Sequence, residues 1–246
     1  LATVVVSGIS YLSYLLKRYV FHESGILVSG IVGGLYSSTA TISVLARKSR
    51  KASEQETNDY VAAMLLAVSM MFLRFMILIL IFSKEIFRSI YPYLLIMAIV
   101  SALVAWFIHS KQRRSSDMTT DVEEDDSSNP LEFKVALIFA VLFVIFTVLT
   151  HYTLIYAGTE GLNLLSFVSG FSDITPFILN LLQNTESVAA LVITACSMQA
   201  IISNILVNMC YALFFAGKGS KLRPRILGGF GTVVAINLVL LLFFYF

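Results

Sequence analysis

Two ionisable side chains stand where an apolar sequence leaves little room for charge. Asp173, in VSGFSDITPF, is the one carboxylate well inside a hydrophobic segment, and Arg74, in SMMFLRFMILILIF, is the one base. An ionisable group at membrane depth is costly and is read as functional by default. The chemistry expected of the pair is binding or gating of a cation or proton at Asp173, with Arg74 near enough to pair with it. A plain structural ion pair stands beside that reading, as does an Arg74 that runs its long stem outwards to the interface.

Hydroxyls cluster in two places. GIVGGLYSSTATIS (30–43) carries three glycines and six hydroxyl side chains, among them Ser37, Ser38, Thr39 and Thr41; the second cluster holds Ser172 and Thr175. Helix N-termini attract anions, whereas hydroxyls and freed carbonyls replace the water around a cation. Gln199 and Asn204 belong to a polar stripe with Ser197, Ser203 and Asn208. Such a stripe lines a pathway or bonds neighbouring helices to one another.

The glycines and caps suggest why these clusters exist. Gly33 and Gly34 are expected to end one half-helix, with Ser37 or Ser38 capping the next. Gly170 is expected to end another, with Ser172, Asp173 or Thr175 as the cap and Pro176 in the first turn, where a missing N–H costs nothing. The competing explanation is that small residues let straight helices pack closely, since Gly30 and Gly34, Ser29 and Gly33, and Ser166 and Gly170 are all spaced four apart.

Other chemistries find no support. Cys196 and Cys210 share one apolar segment, and His22, His109 and His151 show no ligand spacing, so no metal site is assigned and no cofactor is expected. The chain has no P-loop, dinucleotide fingerprint or nucleophile elbow, and no nucleophile–base pair, so it is read as no enzyme. RKSRK and KQRR flank membrane segments and suit lipid heads, not nucleic acid.

The elements that must position these residues are membrane helices. The 246 residues are 58% hydrophobic and 13% charged, with a mean hydropathy of +0.85; soluble domains carry roughly 25% charge. Eight hydrophobic segments run at about 1–16, 25–46, 60–82, 89–109, 133–157, 161–182, 187–216 and 226–246, several reaching the roughly 20 residues a span needs. The fold class expected is an all-α polytopic membrane protein. The chain opens hydrophobic at Leu1 without a methionine, and a natural extension before it is expected.

The polar stretch 110–130 reads as a flexible cytoplasmic linker, dividing a first membrane repeat (1–109) from a second (131–246). ESGILVSGIVGGLYSSTATISVL (23–45) resembles TEGLNLLSFVSGFSDITPFILNL (159–181) at a spacing of 136. If the second and sixth segments re-enter, fourteen of the loop cations fall on one side, against Lys84 and Arg88 on the other, as the positive-inside rule prefers. Re-entry of the sixth alone leaves only Lys17 and Arg18 on the other side as well. The repeat favours re-entry of both, which makes the halves an inverted repeat.

At GGLYSSTATISVLARKSRK, at SGFSDITPFILNLL and at SMQAIISNILVNMCYALFFAGKGS to the end, the chain resembles a bacterial integral membrane domain of unknown function often found behind an MgtC/SapB domain. The resemblance implies a helical fold in a bacterial inner membrane and hints at magnesium or acid-stress physiology. The second motif departs from that family, with Thr175-Pro176 where a further acidic residue is usual.

The function expected is an inner-membrane transporter or channel for a small ion or solute, with a cation such as Mg²⁺ or H⁺ favoured. Its partners would be the lipid bilayer, the ion and a second copy of the chain. The alternative is a non-transporting scaffold or regulator that docks through its small-residue faces.

Overall fold

A computed structural model describes residues 25–53, 56–110, 133–183, 188–217 and 222–245. The first segment (1–16) and the linker beyond Ser110 lie outside the described residues. Among the described residues seven α-helices follow in order: α1 Ile26–Lys48, α2 Thr57–Phe82, α3 Lys84–Ser110, α4 Phe133–Ser169, α5 Ile174–Gln183, α6 Ala190–Ala216 and α7 Leu222–Tyr245. No strand occurs among the described residues. All but α5 are long and apolar enough to cross a membrane. Helices satisfy their backbone internally, which a lipid solvent demands, and the chain is an all-helical, multi-pass membrane protein.

Two helices form the centre. Half of the apolar window of α2 is buried within the protein (50%) and more of α6 (67%), against 11% for the stretch Ala140–Ser169 of α4. The central helices are thus clad in protein, and α4 presents most of its apolar surface outwards. The α2–α3 hairpin turns on Ser83, whose hydroxyl accepts the Ile86 N–H at 3.3 Å. Ser69 then bonds the Ala98 carbonyl across the pair at 2.8 Å. Buried Tyr93 donates to Asn237, tying α3 to α7.

Small residues set the closest approaches. A side chain on Gly30 would collide with the Ala63 backbone, and one on Gly34 with Ala67. The glycines therefore do not end a half-helix, as the sequence had suggested; α1 runs through them as a helix, and they seat it on α2. In the second half, Gly170 meets Ser203, and Ser166 bonds Gln199 at 2.8 Å. A shift of 136 residues carries Gly34–Ala67 onto Gly170–Ser203 and Gly30–Ala63 onto Ser166–Gln199.

The sixth expected segment is not one helix. It is divided between the end of α4 and all of α5. α4 itself is interrupted at Gly158, with φ 57° and ψ −146°, a conformation essentially confined to glycine. Gly161 lies against both Ala157 and Thr153, although eight residues of straight helix would span about 12 Å. The chain therefore turns sharply at Gly158 into a short half-helix, α4b (159–169).

Gly34→Val is expected to lower the melting temperature of the purified protein in detergent by several degrees, since overpacking a tight contact costs roughly 1–3 kcal/mol. Gly228→Val, at an exposed position with open space around it, should leave it within about a degree.

Candidate functional site

The first break lies within α1. Ser37 leaves the helix with φ −155° and ψ 109°, an extended conformation open to any residue. Its hydroxyl accepts the Ala40 N–H at 3.3 Å, the N-cap expected of Ser37 or Ser38. The second half-helix, α1b (38–48), starts there and ends in Arg47 and Lys48, as the helix dipole favours.

The second break separates α4b from α5. The chain unwinds through three tight bonds: Gly170 N–H to the Phe167 carbonyl (3.3 Å), Phe171 to Val168 (3.1 Å) and Ser172 to Ser169 (3.0 Å). Asp173 then caps α5, its Oδ1 accepting the Thr175 N–H at 3.0 Å. Pro176 sits in the first turn, as the sequence suggested.

Each break frees carbonyls that need donors at membrane depth. The Tyr36 carbonyl is met by Arg74, whose Nη1 donates at 2.7 Å. The same guanidinium reaches Thr175 Oγ1 with Nη2 at 3.4 Å, so Arg74 bridges the two breaks. Its Nε is buried without a partner among the described residues. The second break is served by α6. Asn204 Nδ2 donates to the Gly170 carbonyl at 3.2 Å and reaches that of Ser172 at 3.5 Å, while Ser203 donates to the Phe167 carbonyl at 2.6 Å. Asn208 holds Asn204 in place, donating to its Oδ1 at 3.1 Å.

Both breaks open on one cavity of about 510 Å³. Of the residues singled out in the sequence, Ser37, Ser38, Thr39, Arg74, Gly170, Ser172, Asp173 and Asn204 line it. Others, Gly33 and Pro176 among them, stand outside it. Thr41 packs on Gly33, Thr175 faces Arg74, Gln199 is engaged by Ser166, and Gly34 is buried against α2. Asp173 and Arg74 share the cavity wall without a direct ion pair, since the ion pair found among the described residues is Asp59 with His109, at 2.7 Å.

The sequence alone did not single out Ser43, Arg47, Tyr211 and Phe215, which also line the cavity. Their signal was helical spacing. Thr39, Ser43 and Arg47 recur every four residues on α1b, as do Tyr211 and Phe215 on α6. Arg47 stands over the Phe215 ring at 4.3 Å, a cation–π contact that draws the end of α1b to the end of α6. Beside it, Arg50 donates to the Phe215 carbonyl at the C-terminal end of α6. No group of three or more His, Cys, Asp or Glu side chains able to hold a metal occurs among the described residues.

A family model described as a domain of unknown function (DUF4010) matches residues 4–216. A protein of Aquifex aeolicus (strain VF5), itself described as uncharacterized, is 26% identical over 221 residues, covering 88% of this chain and 93% of that protein. No solved structure matches the chain.

Asn204→Leu should strip the Gly170 and Ser172 carbonyls of their donor and destabilise the protein by roughly 1–3 kcal/mol. Asp173→Ala should cost about 1 kcal/mol through the lost cap, and Asp173→Asn, which still caps, almost nothing. Thermal unfolding in detergent reads all three.

Proposed function

The chain belongs to the family of the domain of unknown function DUF4010, and from that premise we propose that it is a transporter or channel for a small ion or solute, working in a bacterial inner membrane at the point where its two helix breaks meet. The observation that carries this is the shared cavity: two interruptions more than 130 residues apart in the chain open on the same space. Irregular backbone at membrane depth is tolerated where protein buries it or where it lines a watery cavity, and both breaks line a cavity walled in part by hydroxyls and charged groups. Binding sites built from facing half-helices are a recurrent solution for moving a solute past a membrane midplane.

The scaffold alternative needs small-residue faces free for a partner. Gly30, Gly34 and Gly170 already press against Ala63, Ala67 and Ser203 of the same chain, which favours the transport reading. A second copy of the chain would find its apolar surface on α4, where Val144, Ile155 and Tyr156 are exposed. The reading assigns no catalysis to the protein. A link to magnesium physiology would come only through the MgtC/SapB resemblance.

An inverted repeat of two halves (1–109 and 131–246, joined by a linker at 110–130) fits the same picture. The contact pairs recurring at a shift of 136 support a duplication, and re-entry of one segment in each half, which the repeat favours, would give an odd number of crossings per half.

In proteoliposomes, the purified protein should pass at least one ion from a panel of Mg²⁺, K⁺, H⁺ and common small anions, at a rate that Asp173→Asn alters severalfold. An absence of flux across the whole panel overturns the transport reading. Topology has its own test. Single cysteines from Ser53→Cys and Thr185→Cys, in a background lacking Cys196 and Cys210, should label from opposite sides of the membrane; labelling from one side rules out the inverted repeat.

A further inference from the structure

We propose that the occupant of the cavity is a small oxyanion or carboxylate, an inference that rests on the transport reading of the same site. The sequence favoured a cation because it offered an isolated carboxylate among hydroxyls. The geometry reverses this, because it shows which polar groups are already engaged.

A cation site is built from oxygen acceptors turned towards the ion. Here several of the acceptors at the breaks are taken. The Tyr36 carbonyl is held by Arg74, the Gly170 and Ser172 carbonyls by Asn204, Asn204 Oδ1 by Asn208, and one oxygen of Asp173 by the Thr175 amide.

Donors and positive charge remain. Ser38 lines the cavity and is only 3% exposed, yet its hydroxyl has no hydrogen-bond partner among the described residues. That hydroxyl is not among the fully buried unpaired atoms, so it keeps contact with the cavity space, where a ligand or water can complete it. Two guanidinium groups, Arg47 and Arg74, line the space against one carboxylate, Asp173, with Arg74 lending its charge while its terminal nitrogens serve Tyr36 and Thr175. Neither arginine has a carboxylate within ion-pair distance among the described residues. The N-terminus of α1b opens on the same volume. The N–H groups of its first turn lack carbonyls of their own half-helix, Ser37 takes one of them, and the dipole of the half-helix adds to the field. The planar fork of arginine matches the paired oxygens of a carboxylate or oxyanion, where a halide would use only its charge.

Asp173 gives the test its sign. Isothermal titration calorimetry of the full chain in detergent, with the sodium salts of acetate, nitrate and phosphate, should show saturable binding of at least one anion. Asp173→Asn removes a like charge while keeping the cap, so anion affinity should rise about threefold or more. Ser38→Ala, which breaks no contact within the protein, should lower it about threefold to tenfold. Arg47→Gln should lower it further, and each variant's melting temperature verifies its fold. The proposal is overturned if none of the anions binds, or if binding is indifferent to Ser38→Ala and Arg47→Gln. It is also overturned if Mg²⁺ or Na⁺ binds instead and is weakened by Asp173→Asn. Anion binding without flux would sustain this inference and sink the transport reading; flux of a cation lost in Asp173→Asn would do the reverse.

Discussion

Arg74 is the constraint on which the rest of this structure turns. A helix broken at membrane depth leaves carbonyls that no lipid can satisfy. Arg74 supplies the missing donor for Tyr36 from the central helix α2 and spends a second N–H on Thr175, at the start of the other interrupted element. The two breaks are therefore fastened to one permanent cation. That cation is held by backbone and hydroxyl dipoles at hydrogen-bond distance, with Asp173 on the same cavity wall but beyond ion-pair range. Its position explains why a base stands in the middle of SMMFLRFMILILIF.

The two halves solve the same problem with different side chains. In the first, small residues let α1 lie directly on α2, and a long arginine fills the gap opened at Ser37. In the second, Asn204 of α6 bonds the unwound turn at 170–172, Ser203 bonds the Phe167 carbonyl just before it, and Asn208 holds Asn204. The packing beneath is shared, since Gly34 meets Ala67 where Gly170 meets Ser203. The polarity is not. At α5, Asp173 caps the helix and Pro176 removes an N–H, which quiets that N-terminus. At α1b only a neutral serine caps, and the positive end stays open to the cavity. This asymmetry, more than the tally of charged residues, gives the site its electrostatic character.

Much of this was legible in the residues. Caps were expected at Ser37 or Ser38 and at Ser172, Asp173 or Thr175, because short polar side chains beside glycines in an apolar run have few other uses. Asp173 and Arg74 stood out because charge is rare at that depth. The glycines were misjudged for a local reason. Gly33-Gly34 reads equally as a helix stop and as a packing surface, and only the neighbouring helix decides between them. Arg47 was taken as one more cation in a basic loop, since its partner ring, Phe215, lies 168 residues away in the chain.

By itself the sequence determined the helical membrane class, the two interruptions and the kind of residue at each, because apolar run length and capping chemistry are local properties. The tertiary structure alone decided that both interruptions face one cavity and that Arg74 spans them. It also decided which polar atoms are engaged and which stay free. Hydrogen-bond satisfaction at membrane depth is a contest among groups brought together by folding, and it leaves the Asp173 carboxylate capping α5 on the wall of the cavity that both breaks share.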